Sequence, residues 1–357
     1  VLAASSLFFT GVGAVCAQVA TDPGVAGRLS AVGLGVFFVI AAIGDATGSP
    51  VVWLSPFGWA RHAQAYVANL FWAPLVPLAL AAALSWLALR LNRVRDYGSG
   101  LIPARKGRAS ARGWLRSPLA LAARLQRGTV TGWAVALAFL GLMMGSVLAG
   151  LDQQLAGSAF EDFARRHGGE VGEVFFQFVL YVLAQIATAA ALAAVLTLRS
   201  DETDGLAEPV LSRAVTRSRW SVARWLVAAG LGAVILLSLG IGGALGSGRW
   251  ALPLATIAYL PSVLALVGFA LALVGWLPRA ATAVSWAVLG LLLLLDLFAE
   301  FNLLPADAVR VLSPFAATFA GLLGPGLATP LIVLTVIGLG LGAFGVLGIS
   351  RRDLQLA

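Results

Sequence analysis

The sequence predicts an all-α fold, a polytopic transmembrane helical bundle of about nine spans. Only 11% of the 357 residues are charged and 60% are hydrophobic, whereas soluble domains carry about 25% charged residues. The apolar residues fall in blocks of about 20, the helix length that crosses a hydrocarbon core of ~30 Å. The basic residues collect beside these blocks, as the positive-inside rule describes. This distribution explains the net charge of +8 without a nucleic-acid partner.

We predict spans at about 1–20, 29–45, 67–89, 129–151, 174–198, 225–247, 253–277, 281–299 and 330–349. If the segment after the third span is cytoplasmic, nineteen of the 24 Lys and Arg residues lie in inside loops. This bias predicts a cytoplasmic C-terminus. The nearly exclusive use of arginine in an Ala- and Gly-rich chain is typical of GC-rich bacteria, so we expect a multi-pass protein of a bacterial plasma membrane.

The segment 98–128 is predicted to be a basic cytoplasmic linker. Its second half, 109–127, has leucines and a tryptophan interleaved with arginines, which favours an amphipathic helix lying in the membrane interface. A solvated basic linker is the alternative. The candidate interface residues are Trp114, Arg116, Leu119, Arg124 and Arg127.

An internal repeat divides the chain. The tetrapeptide Leu54-Ser55-Pro56-Phe57 recurs as Leu312-Ser313-Pro314-Phe315, and the span after each copy ends near an Arg-Asp pair, at 95–96 and at 352–353. The repeat predicts two duplicated six-span units, with 1–97 as the last three spans of an incomplete first unit and 129–357 as the second. We therefore expect about 130 further residues with three more spans in the complete protein.

Signals for catalysis and metal binding are weak. His62 and His167 fall in predicted outside loops without a second ligand at metal-binding spacing. The sequence has no G-x-x-x-x-G-K-[ST] motif, which holds nucleotide phosphates in P-loop proteins, and no G-x-S-x-G elbow. We expect no cofactor or metal in this chain, and an intramembrane enzyme is the least favoured class.

The loop 199–224, between the fifth and sixth spans, carries four acids followed by arginines, with apolar residues interleaved. Mixed charge with a few apolar anchors suits docking on a soluble partner. A solvated connector is the alternative. The candidate docking residues are Glu202, Gly205, Glu208, Val210, Leu211, Arg213, Val215, Arg217, Arg219 and Trp220.

This loop resembles the first cytoplasmic loop of ABC-2-type permeases, particularly the actinobacterial polyketide-antibiotic exporters that include the tetronasin-type proteins. The resemblance rests on an acidic run, a glycine, a glutamate, an apolar pair and Val-Thr-Arg before an aromatic residue. The stretches 54–59, 91–103 and 117–132 also resemble that branch. The matching loop positions are Glu202, Gly205, Glu208, Val210, Leu211, Val215, Thr216, Arg217 and Trp220.

The resemblance implies an ATP-driven exporter of hydrophobic, antibiotic-like compounds. A separate cytoplasmic ABC ATPase subunit, expected in two copies per complete transporter, would bind ATP and Mg²⁺ and would dock on the loop 199–224. The resemblance also implies that 109–127 is the interface helix and that Ser55-Pro56 and Ser313-Pro314 lie in extracellular helical hairpins. A proton-coupled secondary transporter is the alternative function.

Four polar residues within spans are candidates for a translocation path. Gln177, Tyr181 and Gln185 are spaced by four, which places them on one helix face, and Asp296 lies near the predicted outer end of its span, close to water. Hydrogen bonding between helices is the alternative role. The glycine-rich stretches 230–232 and 338–342 are expected to allow close helix packing.

Overall fold

The computed structural model describes residues 2–63, 70, 72–94, 100–101, 113–155, 171–212, 215–300, 303–324 and 326–353. All regular secondary structure in these residues is helical. The chain divides into two compact units, Val1–Ser110 and Ala111–Ala357. The division falls within the segment 98–128, where the sequence predicts a linker.

The part of the first unit that the structure describes contains four α-helices and one 3-10 turn. The Asp22 side chain accepts hydrogen bonds from Gly24 N and Val25 N and so begins α2 with a proline at its first position. Helix α1 packs along α4, and the Phe8 and Trp59 rings form a T-shaped pair with a centroid distance of 5.9 Å. The elements are α1 Leu2–Val19, α2 Pro23–Thr47, the 3-10 turn Pro50–Leu54, α3 Pro56–His62 and α4 Leu75–Val94.

The described residues of the second unit form ten α-helices and hold the main apolar core. After a 3-10 turn at Gly113–Arg116, its helices are α5 Pro118–Leu155, α6 Val171–Thr203, α7 Glu208–Leu211, α8 Arg217–Ser247, α9 Leu252–Ile257, α10 Leu260–Trp276, α11 Ala281–Glu300, α12 Ala306–Leu312, α13 Pro314–Leu323 and α14 Ala328–Arg351. Helix α5 packs mainly on α8, and α10 packs mainly on α14. These pairs form the framework of the unit.

Eight helical segments of the described chain are long and apolar enough to cross a membrane. The pair α12–α13, bent by 118°, makes nine if it is counted as one broken span. The prediction of a polytopic helical bundle is therefore confirmed. Helix α1, predicted as the first span, is apolar but shorter than the other eight.

The predicted interface helix is not a separate element. The described part of 109–127 consists of the 3-10 turn and the start of α5, which continues through Gly128 to Leu155 without a break. Ser117 caps this helix by accepting a hydrogen bond from Ala120 N at 3.2 Å. A glycine costs a helix only about 1 kcal/mol, which packing against α8 offsets. At 38 residues the helix is about 57 Å long, so one end projects beyond a ~30 Å core.

Glycines allow the two main helix pairs to pack closely. A Cβ at Gly242 of α8 would overlap the carbonyl oxygen of Ala138 in α5. A Cβ at Gly338 of α14 would lie 2.7 Å from the Leu264 carbonyl carbon in α10. The expectation is confirmed at Gly338 and at Gly232, where a Cβ would lie 2.8 Å from the Val263 side chain, but not at Gly340. A Cβ at Gly230, in contrast, would have no neighbouring atom within 4 Å, so this glycine serves no such contact.

The two copies of the Leu-Ser-Pro-Phe sequence adopt the same local structure. Ser55 and Ser313 each precede a short helix and accept a hydrogen bond from the backbone N–H two residues later, at 3.3 Å in both units. The carbonyl of the following proline accepts a serine hydroxyl from another helix in each unit, Ser5 at 3.4 Å and Ser262 at 2.9 Å. The sequence repeat is thus accompanied by a repeated hydrogen-bond pattern.

Candidate functional sites of the second unit

The loop between α6 and α8 turns sharply at a glycine. Gly205 has φ of 70°, a left-handed conformation that glycine adopts without steric cost. The Ala207 N–H then donates to the Asp201 carbonyl at 2.9 Å, and the single turn α7 follows. Helix α8 starts where the Thr216 side chain accepts a hydrogen bond from Arg219 N.

Buried ion pairs bind the base of this loop to the end of the last helix. The Glu202 side chain is 1% exposed, and its two oxygens accept hydrogen bonds from Arg352 at 2.6 and 2.7 Å. Arg199 lies 3.3 Å from the same carboxylate. Arg217 donates to the Arg352 carbonyl at 2.7 Å, and Arg224 pairs with Asp201. The loop and the end of α14 therefore lie at the same end of the unit.

The structure separates the predicted docking residues into internal and surface groups. Glu202 and Trp220 are buried, and Val210, Leu211 and Val215 are half-buried against the core. Gly205 forms the turn, Arg217 is half-buried, and Glu208 and Arg219 are exposed. Arg213 lies outside the described residues. Two residues that sequence reasoning missed are Arg352, the partner of Glu202, and Leu206, which is 61% exposed beside the turn.

An open cleft of about 460 Å³ lies beside this loop. We call it the loop cleft. Its lining combines acidic and basic groups with the half-buried Leu211 and Val215, a mixture that suits a protein contact. Its lining residues are Glu208, Leu211, Ser212, Val215, Thr216, Arg217 and Asp353.

The candidate interface residues lie at the start of α5 or just before it. Trp114 and Arg116 belong to the 3-10 turn. Leu119, Arg124 and Arg127 are exposed in the first turns of α5. This end of the helix thus presents apolar and basic side chains together.

The polar residues predicted for a translocation path form a buried cluster. Tyr181, Gln185 and Asp296 are each at most 3% exposed. The Gln185 amide nitrogen donates to Asp296 Oδ2 at 3.0 Å, and the Ser313 hydroxyl donates to the same oxygen at 2.8 Å. We call Tyr181, Gln185, Asp296 and Ser313 the polar cluster. It joins α6 and α11 to the start of α13.

The structure corrects the expected surroundings of Asp296. Its position four residues before the end of α11 predicted access to water. The residue is instead buried, and Ser313, at the bend between α12 and α13, donates a hydrogen bond to it. Tyr181 stacks on Phe319 of α13, with ring centroids 4.9 Å apart, and Gln177 on the same face is half-buried. The hydrogen bonds fit the alternative role, a connection between helices, and a role in a translocation path stays a prediction.

The eight or nine apolar helical segments of spanning length in the described chain define a multi-pass membrane protein. A family model described as "Multidrug efflux system permease Rv1217c, C-terminal domain" matches residues 115–349. The multidrug efflux system permease protein Rv1217c of Mycobacterium tuberculosis is 34% identical over 366 aligned residues, which cover 99% of this chain. The chain spans 66% of that relative's length. The chain belongs to this family of multidrug efflux system permeases.

Proposed function

We propose that this chain forms part of an ATP-driven ABC-2-type efflux permease for hydrophobic, antibiotic-like compounds. The family membership supports efflux, and the relative is named as a multidrug efflux permease. The observation that carries the coupling to an ATPase is the loop cleft, an open surface on a loop that buried ion pairs hold against the spans. A separate ATPase subunit, of the kind that serves the tetronasin-type exporters, would bind ATP and Mg²⁺.

The buried ion pairs of Glu202 with Arg352 and of Asp201 with Arg224, which we call the brace, provide a way to transmit force from the loop to the helices. A partner seated in the loop cleft contacts α7 and the start of α8, and Glu202 ties the end of α6 to Arg352 at the end of α14. Arg224 adds a second tie between α8 and Asp201. Movement of the loop therefore displaces three long helices together, because buried ion pairs resist separation.

The proposal places the loop and the C-terminus in the cytoplasm of a bacterium. The Glu202–Arg352 pair shows that both are at one end of the second unit. The arginine-rich loops predict that this end is cytoplasmic, which is the side where ATP is available. The loop between α6 and α8 would then be the docking site for one of the two ATPase copies expected in a complete transporter.

The docking assignment is tested with Glu208→Ala combined with Leu211→Ala. Both side chains line the loop cleft, and neither belongs to the buried ion pairs. We expect loss of co-purification with the P-loop ATPase encoded nearest to this gene, together with loss of ATP-dependent export from inverted vesicles. Asp204→Ala is the matched control, because Asp204 is exposed on the same loop outside the cleft. Unchanged ATPase binding in the double variant would refute the docking site.

A proton-coupled secondary transporter is the second candidate, and the buried acid Asp296 favours it. Ionisable residues inside a membrane commonly mark proton or substrate pathways. The two candidates separate in one vesicle assay. Transport that stops when the proton gradient is collapsed and ignores ATP supports the second candidate, whereas the reverse supports ATP coupling.

A further inference from the structure

The carboxyl group of Asp296 has an unequal set of partners. Oδ2 accepts hydrogen bonds from both Gln185 and Ser313, whereas Oδ1 is buried without a partner in the described chain. The hydroxyl of Tyr181 lies beside the acid but without normal hydrogen-bond geometry. No arginine of the described residues forms an ion pair with Asp296. A buried carboxylate without a compensating cation is strongly disfavoured relative to its neutral form.

The Gln185 amide has the complementary unpaired atom. Its nitrogen donates to Asp296 Oδ2, and its oxygen Oε1 is buried without a partner in the described chain. If Asp296 is ionised, its Oδ1 and the Oε1 of Gln185 are both acceptors, and neither has a hydrogen-bond donor in the described chain. A proton on Oδ1 provides that donor, since a protonated carboxyl carries one O–H. The acid and the amide then form a cyclic pair with two hydrogen bonds.

We propose that Asp296 is a proton-binding site, in which one proton on Oδ1 completes an acid–amide pair with Gln185 while the α12–α13 pair is docked through Ser313. The three cluster side chains of α6 and α11 are at most 3% exposed, so the space suits a proton rather than a solvated ion. The proton enters from water when the cluster is open. It returns to water when Ser313 separates from Asp296 and the acid becomes hydrated.

The groups around the site strengthen its preference for a neutral acid. Glu300 lies one turn along α11, and its negative charge opposes a second one at Asp296. From the other elements, Tyr181 of α6 and Tyr259 just before α10 lie near the acid. The start of α13 contributes the uncharged Ser313. The positive charge that neutralises Asp296 is therefore a proton from solvent. This proton site would exist whether or not transport is coupled to ATP.

Infrared spectroscopy of the full chain in lipid tests the proposal directly. A protonated carboxyl has a C=O stretch that a carboxylate lacks, and we expect this band at neutral pH in the wild type. The band should be absent in Asp296→Asn and present in the control Asp307→Asn, because the Asp307 side chain is 96% exposed. Absence of the band in the wild type, or its persistence in Asp296→Asn, overturns the proposal.

Stability against pH provides a second measurement. The folded chain holds a proton that the unfolded chain releases at neutral pH, so the unfolding equilibrium constant should rise by up to tenfold per pH unit as pH increases. Asp296→Asn can form the same paired hydrogen bonds with Gln185 through its amide, so it should remain folded and lose this dependence. An identical pH response in both proteins overturns the proposal. A stabilisation specific to Na⁺ that the variant abolishes would assign the site to a metal ion instead and also overturns it.

Should Asp296→Asn fail to fold, Gln185→Leu keeps the proposal testable. Leucine removes the amide oxygen that accepts the acid's hydrogen bond, and a carboxyl that loses such a partner absorbs at higher frequency. We expect the acid band to shift upward in this variant. An unshifted band would show that the proton is not shared with Gln185 and would refute the acid–amide pair.

Discussion

Replacing Arg352 by methionine removes the main partner of a carboxylate that has almost no access to water. Glu202 is 1% exposed, and Arg352 donates one hydrogen bond to each of its oxygens, at 2.6 and 2.7 Å. Methionine keeps much of the apolar length of the side chain and removes the charge. The perturbation therefore tests the ion pair rather than the packing around it.

The size of the effect follows from the geometry. Breaking a buried ion pair by removing one partner costs about 3–5 kcal/mol. Arg199 remains 3.3 Å from Glu202 and retains part of the pairing, so we expect a loss of about 3 kcal/mol in the free energy of unfolding. This corresponds to roughly a hundredfold change in the unfolding equilibrium constant.

Equilibrium unfolding in mixed detergent micelles measures this loss. Arg351→Met is the matched control, because the adjacent arginine is exposed and its loss should change stability by no more than about 0.5 kcal/mol. In a double-mutant cycle with Glu202→Gln, the coupling energy should be about 2 kcal/mol. Equal stabilities of Arg352→Met and Arg351→Met, or a coupling near zero, would refute the brace.

Three further predictions concern packing, capping and topology. Gly242→Ala should destabilise the chain by about 1–3 kcal/mol in the same unfolding assay, because the added Cβ would overlap the backbone of α5. Gly230→Ala on the same helix is the control, because its added Cβ has no neighbouring atom within 4 Å; it should be neutral or stabilising by up to about 1 kcal/mol. Ser313→Ala should cost about 2–3 kcal/mol because it removes a helix cap and the hydrogen bond to a buried acid, and a loss below about 1 kcal/mol contradicts that contact. In a cysteine-free background, a membrane-impermeant thiol reagent added outside the cell should label Asp307→Cys and not Arg279→Cys. Labelling in the opposite pattern reverses the predicted orientation.

The positions of the spans could be predicted from the sequence because hydrophobicity accumulates along contiguous residues. Both copies of the repeated Leu-Ser-Pro-Phe cap helices in the structure, as a serine before a proline favours. The point at which the predicted interface helix 109–127 ends could not be predicted from hydrophobicity and charge. Its arginines suggested a break near residue 128, but the helix continues because capping at Ser117 and packing on α8 outweigh the glycines.

The candidate sites show the limit of local patterns. The spacing of Gln177, Tyr181 and Gln185 correctly indicated a shared face, but not the partner of that face. Gln185 and Asp296 are separated by 111 positions in the chain, and Glu202 and Arg352 by 150. The charge pattern predicted that Glu202 contacts a partner protein, whereas in the fold it pairs with Arg352 at the end of the last helix.

The sequence by itself determined that this protein is a helical membrane protein and where most of its long helices run. These properties follow from transfer free energies and local backbone preferences, which add up along neighbouring residues. Only the tertiary structure decided which polar groups face each other, because burial and pairing depend on the helix faces that meet. A charge in a loop became a buried brace in this way, and an acid near a helix end became part of the interior.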